Sequence, residues 1–131
     1  MRDARRDRDV TFLGRLSDEA IREEYRQATA VLLPGEEDFG IVPVEAQACG
    51  TPVVALGHGG ACETVRDGET GMLFGEPTVE ACAAAIGRVA QLDVDRDGIR
   101  RHAEQFSRER HVAALRGVIH EVLAAPAGTR W

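Results

Sequence analysis

Short apolar runs alternate along this chain with segments whose apolar residues recur at helical spacing, and that alternation limits the fold more than any other feature. Val10-Thr11-Phe12-Leu13 closes on Gly14, Ala30 to Leu33 stops at Pro34-Gly35, Pro52 to Leu56 runs into Gly57, and Gly71 to Phe74 is a fourth run. Runs of this length bounded by glycine and proline read as buried strands. Ser17 suits the N-cap of a helix reaching about Gln27, with Asp18 and Glu19 in a first turn whose dipole favours acids. Pro43 to Cys49 reads as a helix with proline near its start and Gly50 past its end. A shorter one covers Ala61 to Val65. From Val79 onward the chain is helical, with Val79, Cys82, Ile86 and Val89 on one apolar face, Ile99, Ala103 and Phe106 on another, and Val112, Leu115, Ile119 and Val122 on a third. Strands alternating with helices of this size require right-handed crossovers. The expectation is an α/β fold: a doubly wound parallel sheet of about four strands, helices on both faces, and a helical C-terminus.

With 131 residues, 44% hydrophobic and 29% charged, the chain has room for one core. Residues 1–9 read as a polar lead-in, 10–124 as the domain and 125–131 as a tail. A net charge of -6 argues against nucleic acid or an anionic membrane as the main partner. All 16 basic residues are arginine. The absence of lysine excludes a P-loop ATPase, a Schiff-base enzyme, a protein kinase and a phosphorylated receiver domain, each of which needs an amine at its site. The kinase-like triplet Asp38-Phe39-Gly40 therefore stands alone. Three cysteines, Cys49, Cys62 and Cys82, lie among small residues without a C-x-x-C spacing and fit a reducing, cytoplasmic setting. No signal peptide or membrane span is legible.

In a parallel α/β sheet, ligands bind outside the carboxyl ends of the strands. The loop after Leu33 is the richest: three carboxylates, Glu36, Glu37 and Asp38, precede Gly40 and a helix start whose unpaired N–H groups attract phosphate. A nucleotide sugar reconciles the acids with the anion site, because its diphosphate suits the helix end and its vicinal hydroxyls suit carboxylates. Glu45 would then grip a ribose and Glu37 a sugar ring. The plainer reading of the same residues is that Glu45 favours the helix dipole and the acidic loop is solvated. His58 and Cys62 lack further ligands for a metal. His102, His111 and His120, like Arg100, Arg101, Arg108 and Arg110, read as solvent-facing, the arginines balanced by Glu104 and Glu109.

The phrase Glu37-Asp38-Phe39-Gly40-Ile41-Val42-Pro43-Val44-Glu45-Ala46 closely resembles the E-x7-E signature of glycosyltransferase family four. Thr11 to Gly14, Ala48 to Val54, Gly59-Gly60, Glu63-Thr64-Val65 and Gly68 to Gly71 stand in that family's order and spacing. The resemblance covers roughly Val10 to Val122 and implies the Rossmann-like, carboxy-terminal nucleotide-sugar domain of a GT-B enzyme. It further implies transfer of a sugar from a nucleoside diphosphate donor with retention, without an essential metal or other cofactor. By position, Glu37 would be the catalytic-side acid on the donor sugar, Glu45 would bind ribose hydroxyls, and backbone near Phe39, Gly40, Ile41 and Val42 would meet sugar or diphosphate. Gly14, Arg15 and Leu16 would lie near the base. The Glu36 to Gly40 phrase, with Gly57-x-Gly59-Gly60 and Glu63-Thr64-Val65, looks most like members that transfer mannose from GDP-mannose.

The resemblance implies an amino-terminal acceptor domain and two earlier strand units with a basic pair for the diphosphate, for which this sequence is expected to hold no counterpart. The expectations that follow are that the chain alone is inactive, that its donor is its main small-molecule partner, and that peripheral membrane association belongs to the larger protein. An open sheet edge would invite a homodimer. The alternative function is a non-catalytic remnant that binds a nucleotide or a protein.

Overall fold

The structure is a computed structural model and describes residues 10–126 and 129. Its elements in chain order are α1 (Asp18–Gln27), β1 (Val31–Leu33), α2 (Ile41–Ala48), β2 (Val53–Leu56), α3 (Ala61–Thr64), β3 (Gly71–Phe74), α4 (Val79–Val89), α5 (Arg96–Ala103), a 3-10 turn (Glu104–Phe106) and α6 (Arg108–Ala124). The three strands form one parallel sheet in the order β1-β2-β3, with Val31 opposite Val53 and Val53 opposite Gly71. The α/β class and the parallel sheet are as the alternation of runs requires.

Side-chain alternation along β2 divides the core in two. Val54 and Leu56 point to one face, where Met72, Phe74, Ala85 and Val89 join them under α4. Val53 and Ala55 point to the other, against Ala46 of α2, Ala61 of α3 and Val65, with Tyr25 of α1 at the margin. Every residue of β2 is buried, as expected for a central parallel strand covered on both sides. Helix α5 packs on α2 rather than on the sheet. Gly50, at φ +79°, ends α2, and the Arg100 guanidinium lies against it and donates to the Cys49 carbonyl at 3.3 Å.

Several expectations need correction. The Val10 to Leu13 run forms no strand, and the sheet has three strands rather than about four. Val10, Phe12 and Leu13 are 59%, 92% and 50% exposed, because among the described residues no neighbouring strand offers this run a ladder. Helix α2 begins at Ile41, two residues before Pro43. A first-turn proline is tolerated because its missing N–H would have had no intrahelical partner, so Glu45 belongs to the second turn. Val79 opens α4 in solvent at 80% exposure and is not part of that helix's buried face. The apolar face of α6 is largely uncovered among the described residues: none of its residues is buried, and Val112 is half-buried. His102 is buried rather than solvent-facing. Arg100 and Arg101 pair with Asp97 and Asp95 rather than with Glu104 or Glu109. Residues 1–9 and most of the tail lie outside the described residues.

Candidate functional site

The loops leaving the carboxyl ends of β1 and β2 touch. Glu37 and Gly59 pair in an isolated parallel bridge, and the Gly60 N–H donates to the Glu37 carbonyl at 2.6 Å. Only glycine permits this approach. A Cβ on Gly59 would collide with the Glu37 carbonyl oxygen, and one on Gly60 would lie 2.7 Å from the Phe39 carbonyl carbon. Gly40 then takes φ +72° as the N-cap of α2, with no side chain to bond the first turn. The opening amides of α2 are thereby left available to an anion.

Thr64, at the end of α3, fixes that geometry from behind. Its hydroxyl donates to the Gly60 carbonyl at 2.9 Å, while its own carbonyl accepts from Gln47 Nε2 at 2.9 Å and lies 3.1 Å from His102 Nε2. A carbonyl only accepts, so Nε2 of His102 carries the proton and Nδ1 accepts from Gln105 Nε2 at 3.2 Å. The Phe106 ring stands edge-on to the imidazole, with centroids 5.5 Å apart. A chain of polar contacts thus runs from α2 through α3 to α5.

A cleft of about 1080 Å³ opens in front of this frame. Asp38, Phe39, Gly40, Ile41 and Glu45 line it together with Glu63 and Thr64, Gln105 and Phe106, and the start of α6. Of the residues singled out from sequence, Phe39, Gly40, Ile41 and Glu45 meet here. Glu37 is exposed and Val42 half-buried, and neither lines the cleft. Gly14, Arg15 and Leu16 sit in the segment before α1, also outside it. Tyr25 of α1 is a neighbour that sequence reasoning passed over. Burial pushes its phenol pKa up, and the negative charge of Glu45 adds to the effect.

Arg108, Arg110 and His111 were also missed as lining residues. A signal existed: two arginines stand just after Ser107, a good N-cap, where the dipole of the coming helix opposes positive charge. Among the described residues, no group of three or more His, Cys, Asp or Glu side chains is placed to hold a metal ion. No helix among them is long and apolar enough to cross a membrane.

The family model for "Glycosyl transferases group 1" matches residues 3–108. Among curated proteins, the chain is 43% identical over 108 residues to a D-inositol 3-phosphate glycosyltransferase of Geodermatophilus obscurus, covering 81% of this chain and 24% of that protein. To the protein of the same name from Acidothermus cellulolyticus it is 38% identical over 119 residues, covering 88% and 27%. Among solved structures, sucrose-phosphate synthase from Thermosynechococcus elongatus superposes with a TM-score of 0.75 at 32% identity, over 89% of this chain and 31% of that one. Anabaena Alr3699/HepE in complex with UDP and glucose gives 0.63 at 31% identity, over 90% and 32%. The chain therefore spans about a quarter of the length of these curated relatives.

Proposed function

This chain belongs to the group 1 glycosyltransferases, and from that membership we propose that it is the nucleotide-sugar half of a family-four enzyme, the carboxy-terminal domain of a GT-B fold that transfers a hexose with retention. The observation that carries the reading is one juxtaposition: the uncapped amino end of α2, held open by Gly40, shares a cleft with the Glu45 carboxylate. The donor's diphosphate would lie against the α2 amides at Gly40 and Ile41, and Glu45 would accept hydrogen bonds from the ribose hydroxyls. As the glycosidic bond breaks, charge grows on the departing diphosphate, and amides fixed in advance stabilise it without reorganising. Glu37 would reach donor-sugar hydroxyls from the loop outside the cleft, Val42 would support the α2 end, and Gly14, Arg15 and Leu16 would flank the base. No metal is asked to take part. On this reading the reaction belongs to the cytoplasm, and the acceptor is bound by the part of the relatives' length that this chain does not match.

Two donors compete. The acidic phrase before Gly40 resembles that of enzymes using GDP-mannose, whereas the HepE structure is a complex with UDP and glucose. Calorimetric titration of the chain with UDP, GDP, UDP-glucose and GDP-mannose decides between them. One nucleotide is expected to bind weakly, Glu45→Ala to abolish binding with far-UV circular dichroism unchanged, and EDTA to have no effect. Glu37→Ala should weaken the nucleotide sugar and leave the bare nucleotide unaffected. A folded chain that binds none of the four ligands would overturn the donor-domain reading and leave a non-catalytic remnant.

A further inference from the structure

The arginines at the helix ends follow a rule with one exception. Arg26, Arg88, Arg100 and Arg101 sit in the last turns of their helices, where the dipole favours a cation, and each forms an ion pair with an aspartate or glutamate. Arg96 opens α5, against the dipole, but its guanidinium is engaged by the carbonyls of Arg26 and Ala28 at the end of α1. Arg108 and Arg110 share that unfavourable position in the first turn of α6, with Glu109 between them in sequence but ion-paired to neither. Among the described residues, neither guanidinium has an ion-pair partner or a hydrogen-bond acceptor. Both line the cleft, with His111 beside them.

The same cleft is lined by Asp38, Glu45 and Glu63, yet among the described residues no ion pair joins any of them to Arg108 or Arg110. Opposite charges that line one cleft of about 1080 Å³ without bridging suit a ligand that is anionic at one point and rich in hydroxyls at another. A local rule broken without a local gain marks a functional position. We propose that Arg108 and Arg110 form an anion-binding wall that holds the phosphates of the bound nucleotide from the α6 part of the cleft that they share with the α2 amides, with His111 adding a further donor. This assignment rests on the donor-domain reading and adds the second wall of that site. The planar guanidinium presents paired N–H groups matched to phosphate oxygens, so the two arginines can grip the diphosphate in a fixed orientation.

The test is calorimetry at two salt concentrations with the tighter-binding of UDP and GDP, its parent nucleoside, and inorganic pyrophosphate. The proteins compared are the wild-type chain, Arg108→Gln, Arg110→Gln, their combination, the double lysine variant, and Arg116→Gln as a control of equal charge change on the same helix outside this cleft. The double glutamine variant is expected to bind the nucleotide and pyrophosphate at least about tenfold more weakly, with a shallower salt dependence. Nucleoside binding and the Arg116→Gln variant should match wild type, and lysine should restore part of the loss. Nucleotide binding unchanged in the double glutamine variant, while Glu45→Ala still abolishes it, would overturn the wall and leave the donor-domain reading standing. An equal loss for nucleoside and nucleotide would overturn it too, because the arginines would then act through structure. If no nucleotide binds the folded wild-type chain, both proposals fall together.

Discussion

Gly60 has no side chain because Phe39 already occupies the place one would take, its carbonyl carbon 2.7 Å from where a Cβ would stand. Gly60→Ala should therefore push the acidic loop off α3, lowering stability by about 1–3 kcal/mol in urea denaturation and weakening nucleotide binding in parallel. At Gly40 the strain lies in the backbone: φ +72° costs an L-residue about 1–2 kcal/mol, so Gly40→Ala should destabilise by that amount. Both glycines stand in the sequence as plain loop letters. Their spacing showed a turn, but the partner atoms come from a second loop some twenty residues away in the chain, and no local pattern contains them. Gln47 shows the same limit. Fully buried, its Nε2 donates to the Pro43 and Thr64 carbonyls, while Oε1 has no partner among the described residues. Gln47→Ala should cost about 2–4 kcal/mol, from a cavity and two lost hydrogen bonds.

The helices stop and start where their capping residues say. Ser17, Thr78, Asp95 and Ser107 each accept from an N–H three residues on, and of the four Ser17 is the one identified as a cap from sequence. Thr78→Ala should lower stability by about 1 kcal/mol, read as a fall in Tm, because α4 carries one half of the core. Asp95 adds a pH dependence. Its carboxyl pKa is held below the ordinary value, first by the Gly98 N–H and also by Arg101. The folded-state pKa is depressed, so the contribution is fully present above the ordinary aspartate value of about 3.9 and is lost as pH falls through the lower folded value. A wild-type Tm that drops toward Asp95→Asn only below about pH 4 is the expected result. Where reading element by element went wrong was at Val10 to Leu13 and at α6, whose apolar patterns are sound but whose burying partners are not among the described residues.

At the scale of the whole molecule, the sheet has three strands among the described residues and leaves both β1 and β3 as edges, with Leu32 of β1 48% exposed. Sedimentation velocity should show self-association that grows with concentration and is reduced by Leu32→Lys, since a charge on an edge strand opposes pairing. A concentration-independent monomer would count against open edges as the means of association. The sequence by itself determined the α/β class, the strand runs of the sheet, the span of α1 and the acidic loop leading to Gly40 and Glu45, because these rest on periodicity and capping within a few residues. The tertiary structure alone decided which loops meet at the site, that His102 is buried behind Thr64, and that Arg108 and Arg110 line one cleft with Glu45. Those relations depend on contacts between residues tens of positions apart, and such contacts exist only once two core faces have packed against β2.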